Sequence, residues 1–213
     1  MKKNIFTVFT VLFLLFIFIV VCANSYVSAV SSNISSSVFR LHVIANSDSS
    51  EDQNLKYIVR DRVLDYMNSL IDTNTSSKEE TMKIVSENLE NFKSIAQDTV
   101  YENGYDYKVN IEIGNFAFPT KTYGDIALPS GYYDALRISI GEAKGKNWWC
   151  VMFPPLCFVD VSSGVVPEDS KETLEESLSD EEYELISGSS TEYEVKFKFV
   201  EFFENFKNTF AQK

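Results

Sequence analysis

Residues 38–63 place a buried strand, a polar turn and a capped helix in immediate succession, and no other stretch constrains the fold as much. Apolar and polar side chains alternate over residues 39–43, as in a strand with one buried face. The run Asn-Ser-Asp-Ser at 46–49 ends the strand, because short polar side chains bond to the backbone and favour turns and helix caps. Apolar side chains at helical spacing follow over residues 55–66. We therefore expect a rigid strand–turn–helix corner.

The patterns that follow the corner predict an α+β fold. A second helical repeat begins with Ser77 and Glu80, which are placed as a capping box, and runs to about residue 101. Alternation between residues 105 and 153 then predicts three or four more strands. We expect an antiparallel or mixed sheet of four to five strands, with a helical pair on one face and C-terminal helices.

The N-terminus is typical of an export signal. Two lysines precede an apolar run over residues 5–21, and Val27-Ser28-Ala29 has permitted residues at the −3 and −1 positions of a signal peptidase site. Residues 21–23 form a second candidate site. The run is also about as long as the roughly 20 residues that cross a bilayer, so an uncleaved anchor is the alternative. Either reading predicts an exported body that meets the membrane only through this segment.

Composition divides the chain into four parts. Residues 1–29 are a signal peptide or an N-terminal membrane anchor, and residues 30–37 form a Ser-rich tether that we expect to be flexible. Residues 38–160 form the α+β body. Residues 161–213 combine an acidic surface segment, with one or two short helices over 167–184, and a Phe-rich terminal helix from about residue 194.

The charge narrows the choice of partner. The formal net charge is −12 at pH 7, which argues against nucleic acid, whose phosphates need cationic side chains. It also argues against adsorption to anionic lipid. A protein partner fits better, although solubility alone also explains an acidic chain.

Cys150 and Cys157 flank a Phe-Pro-Pro loop. In an exported chain a disulfide between them would contribute about 2–3 kcal/mol by restricting the unfolded state. The alternative is two buried thiols. The spacing differs from the C-x-x-C motif of thiol oxidoreductases.

Enzymatic readings find little support. His42 is the single histidine, and it could serve as a base for Cys150 or for a serine such as Ser47. A lone strand histidine is more often a hydrogen-bonded structural residue, and no triad geometry is evident. No metal-binding or phosphate-binding motif occurs. We expect no catalytic residues, no metal and no cofactor. Besides a protein that binds a protein partner and an exported hydrolase, a passive structural component of an envelope is a third possible class.

Two long motifs resemble one family. FRLHVIANSDSSEDQNLKYIVRDRVL at residues 39–64 and LPSGYYDALRISIGEAKGKNWWCVMFPPLCFVD at residues 128–160 resemble the stage II sporulation protein R family of endospore-forming Firmicutes. The resemblance implies a signalling protein that is made in the forespore and exported to the intermembrane space of the septum. There it would trigger a membrane-embedded aspartic protease, which cleaves the precursor of the mother-cell factor sigma-E. The family is not known as an enzyme.

The resemblance assigns no chemical role to single residues, so the candidate partner contacts rest on residue type. If the polar turn at 46–49 does not contact a partner, its side chains serve only to cap the helix. If Arg60 and Asp61 do not, they form a solvated ion pair. A strand places adjacent tryptophans on opposite faces, so one is expected in the core and the other against a helix or exposed as a partner anchor; the alternative is both in the core. The candidates are Asn46, Ser47, Asp48, Asp52, Gln53, Arg60, Asp61, Trp148 and Trp149.

Overall fold

The computed structural model describes residues 2–71, 77–156 and 166–187. Its elements, in chain order, are α1 (Lys2–Ser37), β1 (Phe39–Ile44), α2 (Ser50–Leu70), α3 (Lys78–Glu87), α4 (Leu89–Glu102), β2 (Val109–Phe118), β3 (Lys121–Tyr123), β4 (Ile126–Leu128), β5 (Gly131–Ile140), β6 (Asn147–Phe153), α5 (Glu168–Glu176) and α6 (Asp180–Ile186). This order confirms the α+β class and the short helices of the acidic segment. The terminal helix expected from about residue 194 lies outside the described residues.

Four strands form one mixed sheet in the order β2-β5-β1-β6. Strand β1 pairs parallel with β5 and antiparallel with β6, and β2 pairs antiparallel with β5. Strands β3 and β4 form a separate two-stranded ribbon. Because β1 is an inner strand, the predicted corner starts in the middle of the sheet.

The sheet separates two apolar clusters. Its first face packs on helices α2, α3 and α4. Leu41 and Val43 are fully buried there with Val59 and Phe92. The second cluster lies on the opposite face, among the end of α1, the β3–β4 ribbon, α5 and α6. Apolar burial on both faces explains why β1 is closed to solvent although its sequence alternates.

The predicted helix from residue 77 to about 101 is two helices. Asn88 separates α3 from α4 with φ −110° and ψ 15°. Its Nδ2 donates to the Ile84 carbonyl oxygen over 2.9 Å, and its Oδ1 accepts from the Tyr66 hydroxyl over 3.2 Å. The first bond satisfies a carbonyl group near the end of α3, and the second ties the break between the two helices to α2.

The Ser-rich residues 30–37 are helical, which corrects the expectation of a flexible tether. Helix α1 continues to Ser37, and Ile34 is fully buried in the second cluster. Asn33 Nδ2 donates to Glu182 Oε1 over 2.9 Å, and Ser37 Oγ donates to the Ser177 carbonyl oxygen over 3.1 Å. The serine-rich composition was misleading because tertiary contacts override a weak helix propensity.

Most large apolar side chains of α1 between Val8 and Val21 are exposed. Within the described residues, no helix combines the length and the apolarity needed to cross a membrane.

Candidate functional site

The turn after β1 is tied together by Asp52. Ser49 caps α2, because its hydroxyl accepts from the Asp52 backbone N–H over 3.2 Å. The Asp52 carboxylate is buried and accepts from Asn46 Nδ2 over 2.8 Å and from Ser47 Oγ over 2.5 Å. Burial raises the pKa of Asp52, but hydrogen bonds from Ser47, Asn46 and Tyr107 together outweigh it and hold the pKa below its usual value. The polar groups of the candidate residues Asn46, Ser47 and Asp52 therefore form hydrogen bonds within the protein.

The same turn grips the loop between β5 and β6. Asn46 Oδ1 accepts from the Glu142 N–H over 2.9 Å, and Asp48 Oδ1 accepts from the Lys146 N–H over 2.6 Å. Gly141 has φ +59°, and the Asn46 side chain fills the space that a Cβ at Gly141 would need. Turn and loop, residues 46–49 and 141–146, thus form one unit, which we call the clamp.

Lys56 anchors helix α2 to the clamp from inside. Lys56 is only 1% exposed. Its ammonium donates to Gln53 Oε1 over 2.6 Å and to the Lys146 carbonyl oxygen over 3.1 Å. Gln53 Nε2 donates in turn to the Ser47 carbonyl oxygen over 2.8 Å. Burial lowers the pKa of Lys56, with the neighbouring Arg60 charge adding to the effect.

Beside the clamp, three side chains stack at the surface of α2 and β6. The Arg60 guanidinium carbon lies 4.2 Å from the Trp148 ring centroid and 5.0 Å from that of Tyr57. The two rings meet edge to face with centroids 5.4 Å apart. Tyr57 is 38% exposed, and Arg60 pairs with the exposed Asp61 over 2.6 Å. We call Tyr57, Arg60 and Trp148 the aromatic–arginine stack.

Trp149 lies on the opposite face of the sheet from Trp148. Its ring stacks on His42 with centroids 3.9 Å apart and an interplanar angle of 19°. Both tryptophans are half-buried. Trp148 packs against Tyr57 of helix α2, and Trp149 packs against the strand residue His42. Only the first belongs to the surface around the clamp.

His42 is buried and hydrogen-bonded. It is 6% exposed, its Nε2 lies 2.7 Å from Asn147 Oδ1, and burial lowers its pKa to about 4. Cys150 pairs with Leu41 in register and belongs to the first cluster, whereas His42 packs on the second face. The suggested pairing of His42 with Cys150 is therefore wrong. The Ser47 hydroxyl donates a hydrogen bond to the Asp52 carboxylate.

Sequence reasoning missed the burial of Arg40, the neighbour of His42 on that face. Its guanidinium carbon lies 4.1 Å from the Phe118 ring centroid and 4.7 Å from that of Tyr133, and it donates to the Tyr123 hydroxyl. Aromatic faces attract cations, which explains how a fully buried arginine is accommodated. An alternating strand gives no signal for this, because its second face looks solvated in sequence.

The remaining candidates concern sulfur and metal. Cys150 is buried, and Cys22 is free and exposed. Cys157 lies outside the described residues, so its disulfide with Cys150 stays a prediction. Among the residues that the structure describes, no group of three or more metal-ligating side chains comes together.

Fold and site together define an α+β protein whose central strand feeds a rigid corner, clamped to a neighbouring hairpin. Residues 35–163, which contain that whole arrangement, match the family described as stage II sporulation protein R. The chain is 39% identical over 147 residues to stage II sporulation protein R of Bacillus subtilis (strain 168), an alignment that covers 66% of this chain and 65% of that protein. The chain belongs to the stage II sporulation protein R family. No solved structure matches it.

Proposed function

We propose that this protein is an exported sporulation signal that activates a membrane-embedded aspartic protease. The protease then cleaves the precursor of sigma-E. The signal leaves the forespore and acts in the intermembrane space of the septum. Family membership and the N-terminal export pattern support this proposal.

The observation that carries the proposal is the clamp beside the aromatic–arginine stack. Internal hydrogen bonds fix the backbone of the clamp, so its exposed groups have a preset arrangement. Tyrosine, arginine and tryptophan are the residue types enriched at binding hot spots. A surface that is already ordered loses little conformational entropy when a partner binds.

The candidate residues divide into two roles on this surface. Asn46, Ser47, Asp52 and Gln53 hold the clamp together. Asp48, Arg60 and Asp61 reach solvent at its edge, and Trp148 supports the guanidinium from below. We infer that the second group contacts the protease, while the first group positions it.

Activation follows if the protein binds the active conformation of the protease more tightly than the inactive one. The test is co-expression of the protease and its sigma-E precursor in a non-sporulating host, with and without this chain. We expect precursor cleavage with the chain and little without it. Equal cleavage in both strains would remove the activator role.

A hydrolase and a passive envelope component make different predictions in the same strains. A hydrolase needs a reactive base, and replacing His42 would abolish its action entirely. A passive component would leave precursor cleavage unchanged when it is omitted. The buried, weakly basic His42 argues against the first of these.

A further inference from the structure

Helix α1 changes character between Ala29 and Val30. Tyr26 is 61% exposed, and Ala29 is also exposed. Val30 packs against the second cluster, and Ser31 Oγ donates to the Ser130 carbonyl oxygen over 3.3 Å. The described side chains before Val30 are mostly exposed, whereas Val30, Ser31 and Ile34 contact the body.

The Ala29–Val30 peptide bond also has the sequence pattern of a signal peptidase site. Val27 and Ala29 stand at the −3 and −1 positions that signal peptidases require when Val30 is the first retained residue. The other candidate bond, Ala23–Asn24, has no such structural counterpart, because the side chains at 25, 26 and 29 are exposed. A cut there would leave the exposed side chains at 25, 26 and 29 on the mature chain.

We propose that signal peptidase hydrolyses the Ala29–Val30 bond and that residues 30–37 remain as a docked part of the mature protein. Water adds across the peptide bond, so that Ala29 gains a carboxylate and Val30 gains a free α-amino group. This inference rests on the export part of the proposed function and is independent of protease activation.

A cut at this bond keeps a segment that belongs to the folded body. Ile34 fills the second cluster, and the Ser36 carbonyl oxygen accepts from Lys78 Nζ over 2.8 Å. Asn33 and Ser37 bond to α6 and to the α5–α6 connection. A cut eight residues later would remove all of these contacts, whereas a cut after Ala29 keeps them.

The experiment is export of the full chain from a Gram-positive host, followed by intact-mass measurement and N-terminal sequencing. We expect an exported chain that begins at Val30. Ala29→Tyr places a bulky residue at −1, and we expect it to abolish the Val30 product. Ala23→Tyr is the matched control, and its product should still begin at Val30 in normal yield.

Three results would overturn the proposal: a wild-type product that begins at Asn24 or elsewhere, retention of residues 1–29, or an Ala29→Tyr product that still begins at Val30 in normal yield. None of them bears on activation, which is read separately from precursor cleavage. A misplaced cut and a failed activator role can therefore be told apart.

Discussion

Asn46 and Gly141 fit together so closely that the asparagine side chain occupies the place of a Cβ at position 141. The contact joins the turn after β1 to the hairpin loop before β6, and it requires glycine for two reasons. One is space, and the other is the left-handed φ of +59°.

We therefore predict that Gly141→Ala destabilises the protein by about 2–4 kcal/mol, from overpacking added to an unfavourable φ. Gly104→Ala is the matched control, because Gly104 also has a positive φ but nothing within 4 Å of its Cβ position. It should cost only about 1 kcal/mol. Urea unfolding measures both, and equal losses would show that the clamp yields easily.

Ile34 provides a test of the docked end of α1. We predict that Ile34→Ala lowers the free energy of unfolding by about 2–5 kcal/mol, because the side chain is fully buried. Ser32→Ala on the exposed side of the same helix should change it by less than about 0.5 kcal/mol. Thermal melts measure both variants. If the Ile34→Ala melt coincides with that of the wild type, residues 30–37 are a tether and not a docked part of the fold.

His42 makes stability depend on pH. Its pKa is about 4 in the folded protein, against 6.5 ordinarily, because burial disfavours the charged ring and the Arg137 and Arg40 charges add to this. The unfolded chain therefore binds the proton first, and stability falls as pH drops from about 6.5 towards 4. The loss approaches roughly 3 kcal/mol.

The matching variant is His42→Gln, which removes the titrating ring. Carboxylates such as Asp52 also lose stabilisation in acid, so the comparison must be between the two proteins across pH 7 to 4. We expect the wild type to lose more stability than the variant. Parallel profiles would contradict a buried, neutral His42.

The Cys150–Cys157 disulfide is tested by Cys150→Ser combined with Cys157→Ser. We predict a loss of about 2–3 kcal/mol under non-reducing conditions, because the bond restricts the unfolded chain. A double variant as stable as the wild type would refute the disulfide.

The aromatic–arginine stack is tested with two arginines of one helix. We predict that Arg60→Ala weakens protease activation at least tenfold, as expected for a hot-spot residue. Arg62→Ala should have little effect, because that side chain is 58% exposed and only pairs with Glu102 over 3.5 Å. Circular dichroism checks that both variants fold, and equal activation by both would place the contact elsewhere.

Local patterns predicted the elements whose signals lie within one segment. The alternation of β1 and the Ser49 cap of α2 were readable because each depends on neighbouring residues. The parallel pairing of β1 with β5 was not, because it is decided by packing between residues far apart in sequence. The burial of Lys56 and Arg40 escaped for the same reason, since their acceptors and aromatic partners come from distant strands and loops.

The polar turn was a candidate partner contact, and the structure gives several of its side chains an internal role. Sequence reasoning chose the polar turn by residue type, with helix capping as the alternative. The structure adds a second internal role, because Asn46 and Asp48 hold the hairpin loop. The exposed edge at Asp48 and the neighbouring Arg60 and Asp61 are then left for a partner.

The most direct test of the central proposal is precursor cleavage in membrane vesicles that contain the protease. Purified exported chain is added at increasing concentration, and the cleavage rate of the sigma-E precursor is measured. We predict a rate that rises with concentration and saturates, as binding to one site requires. A rate that is the same without the chain as at its highest concentration would contradict the proposal.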